Sequence, residues 1–282
     1  MSHIAAVITA AGVSSRIGVK KEYSLVGDTT DIEGKPLTVL GKTALSFAAC
    51  SRVETVIITV PADPELGEYA ARDSLPARLL KPKSKPRFFF VQGGATRRAS
   101  VHHALSLLAH HKPDYVLIHD GARPWVEPAL IDRIIDAVIK HQAAIPLLPL
   151  TDTPKEIDTS GIIQRHLRRV MVGGAQTPQG FAFPQILKAH DRAAEREKRD
   201  GMVYTDDAEV WGEIVGPVFV VPGSQVNRKI TFPEDLAILV KGSEKAVGEN
   251  GVSAVSAAAV GENGVSSASA AVGENGISPG GS

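Results

Sequence analysis

The chain has little or none of several features that mark common protein classes. Cys50 is the one cysteine among 282 residues, so no disulfide can form within the chain. No run approaches the ~20 apolar residues that cross a bilayer. Residues 1–12 have neither a basic leader nor an apolar stretch long enough for a secretory signal. We therefore expect a reducing, cytoplasmic location and no membrane partner.

An excess of charge of either sign is also missing. Lys and Arg together number 31, as do Asp and Glu. Residues 246–282 hold three of the Glu residues and no Lys or Arg, so residues 1–245 carry 31 basic against 28 acidic groups, a net charge of +3. This balance argues against a nucleic-acid partner, which would need a broad basic surface. Hydrophobic residues make up 43% of the chain, which is enough for a substantial core.

The N-terminal region lacks the two common nucleotide-binding motifs. Gly12 and Gly18 fit neither the phosphate loop Gly-x-x-x-x-Gly-Lys-Ser/Thr nor the dinucleotide motif Gly-x-Gly-x-x-Gly. What is present is an apolar run over 4–9 that stops at Ala10 and Ala11. This pattern predicts a buried parallel strand that ends in a tight turn of small residues. Backbone N–H groups of such a turn can approach a phosphate closely.

Three basic residues follow this turn, namely Arg16, Lys20 and Lys21. Their charges would repel one another unless the side chains were solvated or shared an anion, and a triphosphate offers several negative charges over a short span. The segment therefore favours a polyanion-binding site, with an exposed loop of ordinary solvated charges as the alternative.

Short apolar runs alternate with helical patterns along most of the chain. This alternation predicts an α/β fold with a mainly parallel sheet flanked by helices, whose ligands bind outside the carboxyl ends of the strands. Strands are predicted over 4–9, 54–60, 87–92, 114–119, 143–150 and 217–222. Helices are predicted over 42–51, 63–73, 96–111, 127–141, 184–199 and 232–241. The turn-rich segments 24–37 and 74–86 are predicted to be surface loops.

Two regions depart from the alternation. In the segment 151–175, residues 158–161 (DTSG) resemble a turn between two short extended pieces, which predicts a projecting hairpin of the kind that grips a partner subunit. In 246–282 the sequence AVGENGVS occurs twice and then once more with Ile for Val, and its composition favours disorder over a solenoid. We therefore expect one globular domain over 1–245 and a low-complexity tail over 246–282.

Polar motifs follow several of the predicted strands. The stretch 93–100 (GGATRRAS) enters a helix whose N-terminus favours anions, although a capped helix with solvated arginines fits equally well. In 119–124 (HDGARP), Asp120 and Arg123 can form an ion pair or divide the binding of a metal and an anion. The acid pair in 204–208 (YTDDA) can cap a helix or hold a metal.

The order of these motifs is more specific than any one of them. The chain resembles the 2-C-methyl-D-erythritol 4-phosphate cytidylyltransferases of the non-mevalonate isoprenoid pathway over about residues 3–240. The motifs that carry the resemblance are AAGVSSR, KKEY, GGATRRASV, HDGARP, DTPK, QTPQGF, TDDA and NRKITFPEDL. The resemblance implies a Rossmann-like sheet of the nucleotide-diphospho-sugar transferase type and a β-arm that makes a homodimer. It also implies transfer of a cytidylyl group from CTP to a polyol phosphate, with Mg²⁺ or another divalent cation as cofactor.

The resemblance further implies which residues act. Arg16 and Lys21 would bind the triphosphate, and Lys21 with Lys229 would stabilise charge on the α-phosphate. Lys20 is the alternative triphosphate ligand, and Asp120 is the candidate metal ligand. The substrate-binding residues implied are Ala10, Ala11, Gly12, Gly93, Gly94, Arg97, Ser100, Asp120, Gly121, Arg123, Thr153, Arg169, Thr177 and Thr205. Of these, Thr153 and Arg169 would reach the acceptor bound to the other subunit.

The chemistry implied needs no Ser/His/Asp triad, and the sequence offers none. The acceptor's phosphate oxygen is already an anionic nucleophile, so catalysis would rest on aligning two polyanions and neutralising charge on the α-phosphate. Two alternatives stay open from the sequence. One is a ribitol 5-phosphate cytidylyltransferase or another sugar-phosphate nucleotidylyltransferase, and the other is a non-catalytic nucleotide-binding scaffold.

Overall fold

The computed structural model describes residues 2–12, 20–63, 67–232 and 235. Within them the strands are β1 (Ile4–Thr9), β2 (Leu25–Thr30), β3 (Pro36–Thr38), β4 (Val53–Val60), β5 (Arg87–Gln92), β6 (Tyr115–Asp120), β7 (Ala143–Pro149), β8 (Lys155–Ile157), β9 (Ile163–His166), β10 (Gly173–Ala175), β11 (Gln179–Ala182) and β12 (Phe219–Pro222). The α-helices are α1 (Val39–Ala49), α2 (Glu68–Ser74), α3 (Arg97–Leu108), α4 (Pro128–His141), α5 (Gln185–Asp200) and α6 (Asp207–Ile214). Among the helices described, none is both long enough and apolar enough to cross a membrane.

Eight strands form one mixed, mainly parallel sheet. Its order is β10-β7-β11-β6-β1-β4-β5, with β12 also paired to β7. β1 is parallel to both β4 and β6, and β5 is parallel to β4, while β10 and β11 run antiparallel to their neighbours. Thr9 lies opposite Thr59 on one side and Asp120 on the other, so three strands end in register. This alignment brings the residues that follow these strands to one edge of the sheet.

Helices cover both faces of the sheet. Alternate residues of β1 point to opposite faces: Ile4 and Ile8 belong to the cluster beneath α1 and α4, whereas Val7 belongs to the cluster beneath α3, α5 and α6. A strand buried on both faces is apolar throughout, which explains the unbroken apolar run over 4–9. The predicted α/β class with a mainly parallel sheet is therefore confirmed.

The predicted hairpin is also present. β8 and β9 pair antiparallel, and all seven of their residues are exposed. The Oδ1 atom of Asp158 accepts hydrogen bonds from the backbone N–H groups of Ser160 and Ile162, and Gly161 takes a positive φ of 84°. Such a turn suits Asp at its first position and glycine at its last. The role of this hairpin in dimerisation stays a prediction.

The prediction of a surface loop over 24–37 is wrong, because β2 and β3 pair there as a small antiparallel sheet. The segment is mostly polar, so its composition predicts a loop, although Val26 and Leu37 are buried apolar side chains of this small sheet. The Asp31 carboxylate closes the turn by accepting from the N–H groups of Glu33 and Lys35. The short elements β10, β11 and α6 were not predicted. The predicted helix over 232–241 lies outside the described residues except for 232 and 235, and the predicted tail over 246–282 lies wholly outside them.

Candidate active site

A cavity of about 320 Å³ lies at the edge of the sheet where β1, β4 and β6 end. Small residues and threonines form much of its wall, and both charge signs are present. Of the residues predicted to act, those that line it are Ala11, Gly12, Lys21, Gly94, Arg97, Ser100, Asp120, Gly121 and Lys229. Its other lining residues are Thr9, Glu22, Thr59, Ala95, Thr96, Ala122 and Thr231. The structure thus gathers at one place residues from five separate motifs of the sequence.

Tight packing around Gly93 shapes one side of the cavity. A Cβ on Gly93 would lie 2.2 Å from the Cβ of Ala11 and 2.9 Å from Oγ of Ser100, so a larger residue cannot fit without a shift. The hydroxyl of Ser100 accepts from the N–H of Gly94 at 3.0 Å and donates to the carbonyl of Thr96 at 2.9 Å. Thr96 itself caps α3 by accepting from the N–H of Ala99. This loop is therefore held rigidly at a helix N-terminus, where anions and polar ligand atoms are favoured.

A buried carboxylate, Asp120, is the centre of the charged groups. Its Oδ2 lies 2.9 Å from Nζ of Lys229 and 3.6 Å from Nε of Arg123, and its Oδ1 lies 3.3 Å from Nε of Arg97. Burial alone would raise the pKa of the Asp120 carboxyl, but these three cations outweigh burial and hold the pKa well below its usual range. Asp120 is therefore a fixed anion that orders three cations around it.

Arg123 lies beside the cavity and is not among its lining residues. Its Nη1 donates to the backbone carbonyl of Asn227 at 2.8 Å, and the fully buried Asn227 side chain donates to the carbonyl of Thr177. The segment that begins at Asn227 supplies two residues of the cavity lining, Lys229 and Thr231. Arg123 thus links Asp120 to the segment that carries Lys229, and its contact with the substrate stays a prediction.

Two predicted threonines lie outside the lining. Thr177 is buried, and its hydroxyl accepts from the N–H of Asp120 at 3.1 Å and lies 3.0 Å from Nδ1 of His119. Burial lowers the pKa of His119 to about 3, so this imidazole is neutral at physiological pH. Thr205 is exposed, and its hydroxyl donates to Glu209 at the start of α6. Thr177 thus supports the end of β6 that carries Asp120, whereas Thr205 supports a helix terminus.

The remaining predicted residues have different placements. Ala10 is buried beneath the cavity wall, with its N–H 3.2 Å from the Thr59 hydroxyl. Thr153 and Arg169 are exposed near the hairpin, and Nη1 of Arg169 donates to the carbonyl of Thr151 at 2.6 Å. Neither lines the cavity of this chain. Arg16 lies outside the described residues. Of the two neighbouring lysines left open by the sequence, Lys21 lines the cavity.

The sequence did not single out Asp207, although it sits directly behind the cavity. Asp207 is fully buried, and its Oδ2 lies 2.8 Å from Nη2 of Arg97. Its neighbour Asp206 instead caps α6 by accepting from the N–H of Glu209 at 2.8 Å. The sequence signal was the acid pair itself. Only the three-dimensional structure separates the capping acid from the buried one.

The chain is similar to named proteins both in sequence and in fold. A bifunctional enzyme IspD/IspF of Chelativorans sp. (strain BNC1) is 38% identical over 242 residues, which are 83% of this chain and 54% of that protein. The chain spans about half the length of the curated relatives it matches. The crystal structure of 4-diphosphocytidyl-2C-methyl-D-erythritol synthase from Anaerococcus prevotii has a TM-score of 0.69 and 26% identity, covering 86% of this chain and 97% of that one.

A second solved structure gives the same result. The 2-C-methyl-D-erythritol 4-phosphate cytidylyltransferase of Thermus thermophilus has a TM-score of 0.61 and 28% identity, covering 86% of this chain and 99% of that one. Residues 4–240 match the family model described as IspD, 2-C-methyl-D-erythritol 4-phosphate cytidylyltransferase. The family's match includes every described segment that lines the cavity. The chain belongs to the 2-C-methyl-D-erythritol 4-phosphate cytidylyltransferase family.

Proposed function

We propose that this chain transfers a cytidylyl group from CTP to 2-C-methyl-D-erythritol 4-phosphate in isoprenoid precursor biosynthesis. The products are 4-diphosphocytidyl-2-C-methyl-D-erythritol and pyrophosphate. The observation that carries the proposal is the meeting of Lys21, Arg97 and Lys229 in one cavity at the carboxyl edge of a sheet of this family. Three cations there match a reaction between two polyanions.

The reaction requires one bond to form and one to break. A phosphate oxygen of the acceptor attacks the α-phosphorus of CTP, and the bond between that phosphorus and the bridging oxygen of the β-phosphate breaks, releasing pyrophosphate. The nucleophile is already an anion, so no side chain has to remove a proton. Lys21 and Lys229 neutralise the charge that grows on the α-phosphate oxygens, and a preorganised cation is most effective where that charge develops.

The two sides of the cavity have different tasks in this proposal. Gly94 and Ser100 line the side that would receive the nucleoside, and Gly93 packs directly behind it, where a Cβ would meet Ala11 and Ser100. Arg16 and Lys21 hold the triphosphate, with Ala10, Ala11 and Gly12 forming the small-residue turn beside it. Asp120 keeps Lys229 directed into the cavity through their 2.9 Å contact.

A divalent cation such as Mg²⁺ completes the proposal. Among the described residues there is no group of three or more His, Cys, Asp or Glu side chains that could enclose a metal. Asp120 offers one carboxylate in the cavity, and the cations around it favour its ionised form. This fits a Mg²⁺ ion held by one carboxylate and substrate phosphates together. When bound, such an ion would add positive charge beside the phosphates.

The hairpin supports a homodimeric enzyme in this proposal, and we propose a cytoplasmic location from the single cysteine alone. Thr153 and Arg169 lie outside the cavity of their own chain and are exposed, so they are available to a neighbouring subunit. Exposed apolar residues at the same place, including Ile163 and Met171, favour a protein partner over solvent. Each arm would then reach the acceptor phosphate held in the cavity of the other subunit.

The experiment that tests the proposal is pyrophosphate release by the purified chain with CTP and Mg²⁺. Methylerythritol 4-phosphate and ribitol 5-phosphate are compared as acceptors at equal concentration. We expect a strong preference for methylerythritol 4-phosphate. A preference for ribitol 5-phosphate would assign the sister activity, and CTP binding without release from either acceptor would overturn catalysis altogether.

A further inference from the structure

Asp207 is a buried carboxylate whose two oxygens face two different partners. Oδ2 lies 2.8 Å from Nη2 of Arg97, and Oδ1 lies 3.3 Å from Nε2 of His190. The side chains of Asp207 and His190 are 1% and 0% exposed, whereas that of Arg97 is 28% exposed and lines the cavity. We propose that Asp207, braced by His190, is a positioning residue that holds the Arg97 guanidinium in place for the nucleotide. This inference rests on the proposed function and assigns Asp207 a part in it.

Arg97 needs Asp207 as a second partner because its first partner, Asp120, also contacts two other cations. Asp120 is 3.3 Å from Nε of Arg97 but closer to Lys229, at 2.9 Å, and it also has Arg123 at 3.6 Å. A guanidinium held only by Asp120 could turn about that contact. Two carboxylates on different elements, the end of β6 and the start of α6, fix the plane of the guanidinium. A side chain that is fixed before the ligand arrives loses little rotamer entropy on binding.

The start of α6 is itself tied to the sheet. The side chain of Gln179, on β11, donates to Oδ2 of Asp206 at 2.8 Å and accepts from the N–H of Ala208 at 3.0 Å. The Asp206 carboxylate also caps the helix by accepting from the N–H of Glu209, whereas the side chain of Asp207 is buried. This bracing sets where Asp207 stands. The position of Arg97 in the cavity therefore depends on β11, α5 and α6 as well as on its own helix.

Electrostatic attraction stabilises the contact between Asp207 and Arg97. Burial alone would raise the pKa of Asp207, but Arg97 and His190 outweigh it and the pKa is lowered. The Asp207 carboxylate is therefore ionised when it faces Arg97. A buried pair of this kind is costly to break on one side, because the remaining charge loses its partner. Removing both members together avoids that penalty, which makes a double-mutant cycle the appropriate test.

The test compares five proteins: the natural chain, Asp207→Asn, Arg97→Gln, the double variant, and Glu195→Gln as the matched control. Glu195 is exposed on α5, so the control changes a carboxylate to an amide in the same way and leaves the start of α6 intact. The dissociation constant for CTP is measured by calorimetry, and kcat and KM for each substrate are measured alongside thermal unfolding.

We expect Asp207→Asn to weaken CTP binding about tenfold, as loss of a charged hydrogen-bonding partner does, with a smaller change in KM for the acceptor. Glu195→Gln should bind CTP within about twofold of the natural chain. The double variant should bind no more weakly than Arg97→Gln alone, because without Arg97 there is nothing left for Asp207 to position. It should also unfold at a higher temperature than Arg97→Gln, which leaves Asp207 buried without its cation.

Two outcomes would overturn the inference while the proposed function stands: normal CTP affinity in Asp207→Asn, or independent, multiplying losses in the double variant. If Asp207→Asn does not fold, the comparison of Arg97→Gln with the double variant decides, and a further tenfold loss there would refute a positioning role. Failure of the natural chain to bind CTP at all would instead reject the proposed function, and this inference with it.

Discussion

Replacing Lys229 by Ala should reduce turnover far more than it reduces stability. Nζ of Lys229 lies 2.9 Å from Oδ2 of Asp120, and the side chain is 36% exposed in the cavity. In the proposed reaction this ammonium faces the charge that develops on the α-phosphate. Two unit charges 4 Å apart interact by about 4 kcal/mol near a protein surface. Loss of one preorganised charge-stabilising group typically costs about 2.7–4 kcal/mol, or roughly 10²–10³ in kcat.

The effect on folding should be small by comparison. After Lys229→Ala, Asp120 keeps Arg97 at 3.3 Å and Arg123 at 3.6 Å, so its buried carboxylate does not lose all compensation. A partly exposed ion pair contributes about 0–1 kcal/mol. The free energy of unfolding should therefore fall by about 1 kcal/mol or less, which separates a catalytic loss from a folding loss.

The assay is pyrophosphate release at saturating CTP and methylerythritol 4-phosphate, together with chemical unfolding. Lys188→Ala is the matched control, since it removes the same charge from an exposed position on α5. We expect the control to keep near-normal kcat. A fall in kcat of less than tenfold for Lys229→Ala would refute the assigned role. A collapse of stability in that variant would contradict the packing argument.

Three further predictions concern the cavity wall, the buried histidine and the arm. Gly93→Ala should weaken CTP binding at least tenfold, because the new Cβ would meet Ala11 at 2.2 Å; unchanged affinity in a calorimetric titration would contradict the close approach. Burial lowers the pKa of His119 to about 3 in the folded chain, whereas a histidine in the unfolded chain has a pKa of about 6.5. As the pH falls below about 6.5, the unfolded chain therefore binds a proton that the folded chain does not bind. The contribution of His119 to stability is thus complete above pH ~6.5 and declines as pH falls towards 3, and His119→Gln should flatten that decline in denaturant titrations; an unchanged slope would refute it. Inactive Lys229→Ala and inactive Arg169→Ala subunits should regain activity when mixed and allowed to exchange, and no recovery despite proven exchange would exclude shared sites.

The central sheet could be predicted from sequence because its strands carry a local signal. β1, β4 and β6 are short apolar runs buried on both faces, and each lies within one residue of its predicted range. β11 could not be predicted because it has only four residues, QGFA, and is antiparallel to its neighbours. Its Gly180 is required by packing, since a Cβ there would lie 2.8 Å from a side-chain carbon of Ile134 on α4. No local pattern reports a contact between residues that far apart in the chain.

The candidate site was predictable to a similar extent. The family resemblance indicated Lys21, Arg97, Asp120 and Lys229, and all four line one cavity. The position of Asp207 could not be read from the acid pair, because its partner Arg97 is 110 positions earlier in the chain, as their numbers show. Local rules place an acid at a helix start for capping, and they do not say which of two neighbouring acids turns towards the core.

The most direct test of cytidylyl transfer follows the α-phosphorus of CTP. The purified chain is incubated with CTP labelled at that phosphorus, Mg²⁺ and methylerythritol 4-phosphate, and the products are separated, with Lys229→Ala run in parallel. The proposed transfer predicts that the label appears in 4-diphosphocytidyl-2-C-methyl-D-erythritol, that the released pyrophosphate is unlabelled, and that the variant forms product roughly 10²–10³ times more slowly. Label that stays in CTP, or that reaches product equally fast with the variant, would contradict it.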